Sequence, residues 1–150
     1  MSLTSHNRVE VLHGVNLDAL GMRDPEHYGG QTLPELETRI KRFGRDLGLE
    51  VAFFQTNNEG EYVERLHRLP DVADATILNP GAWTHYSYAI RDALEIAGLP
   101  AVEVHLSNVM KREEWRRHSV LDGLVLRAVS GKGVDGYREA LELLKSELGA

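Results

Sequence analysis

Leu99-Pro100-Ala101-Val102-Glu103-Val104-His105-Leu106-Ser107-Asn108 reads as a short buried strand that runs out into polar chemistry. Alternate side chains of an extended strand share a face, so Glu103, His105 and Ser107 point together from the carboxyl end of the run. An acid, a base and a hydroxyl then converge where open α/β sheets bind their ligands. A single histidine in a strand is more often a hydrogen-bonded core or surface residue than a catalyst. The rest of the chain decides between the two.

Residues 9–12, 51–54, 75–78 and 124–129 are also short and rich in aliphatic and β-branched side chains, as buried parallel strands are, and with 99–104 they make five. Helical patterns lie between them. Thr32 with Glu35, and Asn58 with Glu61, have the spacing of helix-start capping boxes. Within 84–97 the residues Ala89, Ile90, Ala93, Leu94 and Ala97 form one apolar stripe, and Tyr137, Ala140, Leu141 and Leu144 form another. This alternation predicts an α/β fold, a doubly wound five-stranded parallel sheet with helices on both faces and right-handed crossovers. No repeat, low-complexity tract or linker divides it. We expect one domain over 8–150 behind a flexible leader, 1–7. Residues 17–31, joining the first strand to the first helix, run to about twice the usual βα connection or more. They hold Gly21, Arg23, Asp24, Pro25, Tyr28, Gly29 and Gly30, the composition of a hinged lid.

Composition narrows the function. A chain of 150 residues with 42% hydrophobic content can bury a core without a metal or disulfide to hold it. The absence of cysteine removes thiolate nucleophiles and Cys-type zinc sites and fits a reducing, cytoplasmic setting. No apolar run approaches the roughly 18 residues of a membrane span, and 1–8 lacks a signal-peptide core. A net charge of −6 disfavours nucleic acid or an anionic membrane as partner. A small anion would need a local basic pocket. Lys111, Arg112, Arg116, Arg117 and His118 could supply one, although such a run is by default a solvated helix face. His13, His85, His105 and His118 show no HxxxH spacing, so no metal site is expected.

Six ordered blocks then carry a family resemblance across almost the whole chain: His13-Gly14-Val15-Asn16-Leu17, Gly21 to Gly29, Asn79-Pro80-Gly81-Ala82-Trp83-Thr84-His85, Glu103 to Asn108, Arg112 to Ser119, and Gly131-Lys132-Gly133-Val134-Asp135-Gly136-Tyr137. Together they resemble type II 3-dehydroquinate dehydratase. The resemblance implies a flavodoxin-like fold, no metal or organic cofactor, and trans elimination of water from 3-dehydroquinate through an enolate to 3-dehydroshikimate.

It also implies roles. Tyr28 matches the family's base; a phenol is a poor base near neutrality unless a cation stabilises its anion, and Arg23 is the expected agent. Asn16 matches the residue that positions a water against the enolate. His105 matches the acid for the leaving hydroxyl, with Glu103 orienting its ring. The substrate carboxylate is expected at the backbone N–H groups of Leu106 and Ser107 with the side chains of Ser107 and Asn79. Arg116 and His85 match the contacts to ring hydroxyls, Arg112 has a supporting role, and Asp92 matches a residue that reaches a neighbouring subunit's site. A homo-oligomer, a dodecamer of four trimers, follows from the resemblance. The chain departs from the family's usual pattern at Val15, where proline is usual, at Asp122-Gly123, at Arg127 and at Trp83. These departures keep open a relative acting on a related cyclic hydroxy acid, or a flavodoxin-like anion-binding module.

Overall fold

A computed structural model describes residues 6–150. In chain order the elements are β1 (Arg8–His13), a 3-10 turn (Leu17–Met22), α1 (Pro25–Tyr28), α2 (Leu33–Leu47), β2 (Glu50–Gln55), α3 (Glu59–Val72), β3 (Ala75–Asn79), a 3-10 turn (Gly81–His85), α4 (Tyr88–Ala97), β4 (Ala101–His105), 3-10 turns at Val109–Lys111 and Glu114–Arg117, β5 (Arg127–Ser130) and α5 (Asp135–Leu148). The five strands form one parallel sheet in the order β2-β1-β3-β4-β5. The expected doubly wound architecture is present.

Strand parity sorts the core into two layers. Val9 and Val11 of β1, Ile77 of β3, and Val102 and Val104 of β4 pack with Leu36 and Ile40 of α2 and Tyr137, Leu141 and Leu144 of α5. Leu12 and Leu78 face the other way, onto Tyr62, Leu66 and Leu69 of α3 and Ile90, Ala93 and Leu94 of α4. Each fully buried leucine contributes roughly 2 kcal/mol of apolar transfer. Two buried acids are paired: Glu10 accepts from Arg65 at 2.5 and 2.6 Å, and Asp74 accepts from Arg8.

The helix starts follow their caps. Thr32 and Glu35 make the full reciprocal capping box of α2. Asn58 accepts from the Glu61 N–H at 3.1 Å, but the Glu61 carboxylate turns to the Thr56 hydroxyl instead of closing the box.

Four sequence readings are corrected here. The apolar stretch 124–129 is not all strand: Leu124 and Val125 donate their N–H groups to the Leu121 carbonyl in a turn and pack on the α3–α4 layer, and β5 begins at Arg127. Arg127 is exposed there, on an edge strand, 3.9 Å from Glu139. Leu99 and Pro100 precede β4. Residues 84–97 are two elements, because Ser87 caps a fresh helix by accepting from the Ile90 N–H, and Ala89 lies exposed outside the buried stripe. The 17–31 connection, expected as one long loop, folds into a 3-10 turn and α1, which Asp24 caps and Pro25 starts. Residues 1–5 of the expected leader lie outside the described residues. His6 and Asn7 are tied to the body, Asn7 through its carbonyl to the Glu50 N–H at 2.9 Å and His6 to Asp74 at 3.5 Å. Among the described residues no helix is long and apolar enough to cross a membrane.

Candidate active site

The strand order reverses between β1 and β3, and at such a switch point the loops leaving the carboxyl ends diverge and open a crevice. A cavity lies there. It is lined by Asn16 after β1, Asn79 at the end of β3, His85 from the following 3-10 turn, His105, Leu106 and Ser107 at the end of β4, Arg23 and Tyr28 from the 17–31 connection, and Arg112 and Arg116. Glu103 stands behind His105. Asp92 does not join them; it is exposed on α4.

Backbone contact between two loops sets the rim. A Cβ at Gly14 would lie 2.3 Å from the Pro80 carbonyl oxygen, and one at Gly81 2.5 Å from that of Val15, so glycine is required at both places. Gly81 also has a left-handed φ of +66°. This packing carries Asn16, itself left-handed at φ 71°, to the cavity edge, where its N–H donates to Asn57 Oδ1. Asparagine tolerates that conformation better than most residues with a side chain.

The acid and the base read from the strand end do meet. His105 Nε2 lies 2.6 Å from Glu103 Oε2, which leaves Nδ1 as the ring atom for a ligand. The same carboxylate accepts from the hydroxyls of Thr84 and Ser119. Burial pushes the Glu103 carboxyl up, but the hydrogen bond and charge of His105 and the two hydroxyls outweigh it and hold the group below the usual carboxylate range.

His85 stacks on His105 at 6.3 Å between ring centroids and meets Trp115 edge-on at 5.1 Å. Its Nδ1 donates to the His118 carbonyl at 2.7 Å. Burial lowers its pKa, opposed by that carbonyl and reinforced by His105 and Arg116. The ring is therefore a neutral imidazole near pH 7 with Nε2 free to accept, the property needed to bind a hydroxyl. Arg116 is held by Glu113 at 3.1 Å and lies over the Trp115 ring.

Around Tyr28 the two arginines divide their work differently from the sequence reading. Arg23 lies over the ring face, 4.1 Å from its centroid. Arg112 reaches the oxygen: its Nη1 donates to Tyr28 Oη at 2.5 Å and to Ser107 Oγ at 3.3 Å. Arg112 and Arg116 do not share one helix face, since Arg112 lies in the extended break after the Val109–Lys111 turn and Arg116 in the next turn, Glu114–Arg117.

Comparison with known proteins agrees with this geometry. Residues 7–145 match the family model described as dehydroquinase class II. The chain belongs to the class II dehydroquinase family. The 3-dehydroquinate dehydratase of Pelobacter propionicus is 51% identical over 142 residues, covering 94% of this chain and 95% of that protein. That of Thermotoga maritima is 50% identical over 141 residues, covering 94% and 96%. Crystal structures of type II dehydroquinases superpose closely. The Propionibacterium acnes enzyme gives a TM-score of 0.87 at 41% identity, and the Butyrivibrio crossotus enzyme 0.90 at 37%; each covers 95% of this chain and 99% of that one.

Within this dehydroquinase four residues contribute more than their place in the sequence indicates. The resemblance gives Arg112 only a supporting role, yet its guanidinium reaches the Tyr28 oxygen. Thr84 and Ser119 sit beside His85 and His118 in the motifs, yet nothing in their spacing shows that both hydroxyls turn to Glu103. Tyr137 belongs to the apolar stripe of its helix, yet it also carries a hydroxyl to Asn79 and His13.

Proposed function

We propose that this class II dehydroquinase removes water from 3-dehydroquinate by anti elimination, with Tyr28 as base and His105 as acid, giving 3-dehydroshikimate. The observation that carries the reading is that Tyr28, on the β1–α2 connection, and His105, at the sheet's carboxyl edge, line one cavity. A base and an acid from different elements suit removal of a proton and a hydroxyl from opposite faces of a ring.

In the first step the Tyr28 oxygen takes the proton beside the ketone, and the C–H electron pair becomes the carbon–carbon double bond of an enolate. Arg112 at the oxygen and Arg23 over the ring are the contacts that favour negative charge on the base. The enolate oxygen is held from the side of Asn16, through a water. When the enolate collapses to the ketone, its electrons form the new double bond and expel the hydroxyl, which His105 Nδ1 protonates. Water leaves. Glu103 keeps the imidazole aligned through Nε2. Ser107, Asn79 and the Leu106 and Ser107 N–H groups receive the carboxylate, and His85 and Arg116 the ring hydroxyls.

An ultraviolet assay for the conjugated enone tests the reading. Purified protein should generate the absorbance from 3-dehydroquinate, and a folded preparation with no turnover would reject it.

The proposal extends to assembly. Tyr88, Asp92 and Ile96 follow one another at helical spacing on the outer face of α4, and Tyr88 and Ile96 are 62% and 70% exposed. An apolar stripe around an acid suits contact with a second copy, and it would serve the assembly that the family resemblance implies, a homo-oligomer of four trimers forming a dodecamer in which Asp92 reaches a neighbouring site. Sedimentation showing only active monomer would reject this. A cytoplasmic setting, suggested by the cysteine-free chain, belongs to the same reading and is checked by cell fractionation.

A further inference from the structure

His13 and Asn79 are the last residues of β1 and β3, and the parallel register sets them side by side. Parity puts both on the face that bears Val11 and Ile77, under α5. Tyr137 of α5, fully buried, meets them there. Asn79 Nδ2 donates to Tyr137 Oη at 3.0 Å, and His13 Nε2 lies 2.9 Å from the same oxygen. A phenol has one proton to give. Since Asn79 already donates to the oxygen, that proton goes to His13 Nε2. The opposite tautomer would strand two groups, the phenolic proton and the Nδ1 lone pair, where this one leaves only the Nδ1 N–H without a partner. Burial also pushes the His13 pKa down to about 3, which keeps the ring a neutral acceptor. At the other end Asn79 Oδ1 accepts from the Gly81 N–H at 3.3 Å.

We propose that His13 and Tyr137 are positioning residues that fix the Asn79 amide with its nitrogen turned to anions in the cavity. One amide hydrogen goes to Tyr137, and the second serves the cavity that Asn79 lines with Ser107. A flipped amide would set its nitrogen against the Gly81 N–H, donor facing donor, and would present its oxygen to a carboxylate. Both contacts repel. Hydrogen bonds donated in one direction, from Asn79 to Tyr137 to His13, polarise one another and favour the productive orientation.

This rests on the reading that Asn79 meets the substrate carboxylate. Steady-state kinetics on Asn79→Ala, Tyr137→Phe, His13→Leu, the Tyr137→Phe/His13→Leu double variant and His13→Gln separate the two, with thermal melts to confirm folding. Tyr137→Phe removes one oxygen and keeps the ring in place. It should raise KM about tenfold while kcat stays within about threefold, the scale of one lost or misdirected hydrogen bond. His13→Leu should behave likewise, and the double variant should be no worse than the poorer single one, because all three residues belong to one chain of bonds. His13→Gln, whose side-chain oxygen reaches the position of Nε2, should recover most of the affinity. If Asn79→Ala raises KM while Tyr137→Phe does not, or if Tyr137→Phe lowers kcat with KM unchanged, the positioning proposal is overturned. If Asn79→Ala leaves KM unchanged, the carboxylate reading beneath it fails instead.

Discussion

Arg112 Nη1 donates to both Tyr28 Oη and Ser107 Oγ, so one guanidinium ties the oxygen of the proposed base to the serine of the proposed carboxylate cradle. Arg23, nearer in sequence, contacts only the ring face in this arrangement.

The two arginines should therefore differ when replaced. A hydrogen bond to a charged group is worth about 1.5–3 kcal/mol, so Arg112→Ala should lower kcat by roughly ten- to a hundredfold. Arg112→Lys should recover only part, because an ammonium lacks the planar fork that spans two oxygens. Arg23 and Tyr28 are half-buried, so Arg23→Ala loses a cation–π contact of about 1 kcal/mol and should cost roughly fivefold, with partial recovery in Arg23→Lys. Parent-like kcat in Arg112→Ala would remove Arg112 from the mechanism.

Glu103→Gln probes the acid. The carboxylate accepts from His105, Thr84 and Ser119, and an amide presents hydrogens where those donors arrive. Turnover should fall about a hundredfold as the imidazole loses its alignment. The parent's stability advantage over this variant should be full well above the ordinary glutamate pKa of about 4.3. It should fade as pH falls through the lower folded-state value, because the native carboxyl is held below that range. Urea titrations of both proteins at neutral and acid pH measure the difference; an advantage that grows with acid would contradict the assignment.

His13 gives a separate acid sensitivity at milder pH. Its folded-state pKa of about 3 lies below the ordinary histidine value of about 6.5, so between the two the unfolded chain binds a proton that the native ring refuses. Stability is fully present above pH 6.5 and declines toward pH 3 by up to about 1.4 kcal/mol per pH unit from this one group. His85, also lowered, adds in the same direction. His13→Gln should lose much of the stability difference between pH 7 and pH 5. Equal pH dependence in parent and variant would show that His13 is not buried neutral.

Much of this candidate site is legible in the sequence, and the reasons are local. Parity alone predicted that Glu103 and His105 share a face, and capping chemistry located the start of α2. The start of β5 was not legible, since an apolar run serves equally as a strand or as a turn packed on a helix layer, which is how Leu124 and Val125 are used. The Arg112 contact was hidden for another reason. Residue 112 meets Tyr28, 84 positions away, only because two separate 3-10 turns replace the helix that the charge run suggested. Tyr137 and His13, 124 apart, meet through sheet register and helix packing, and their apolar surroundings concealed a polar contact.

The choice between a tyrosine base and an amine route gives the last prediction. A Schiff-base dehydration needs a lysine nitrogen at the substrate ketone, and no lysine is among the residues lining this cavity. Lys111, the nearest in sequence to Arg112, is exposed and faces a neighbouring cavity beside Gly29 and Gly131. Borohydride added with substrate should therefore neither trap an adduct nor inactivate the protein, as mass spectrometry and residual activity will report. Tyr28→Phe should abolish turnover yet leave substrate affinity within about tenfold, because it deletes the base while keeping the ring that Arg23 covers. Trapping of a lysine adduct, or parent-like turnover in Tyr28→Phe, would mean that the proton leaves by another route and that the Arg112–Tyr28 contact serves only to close the loop.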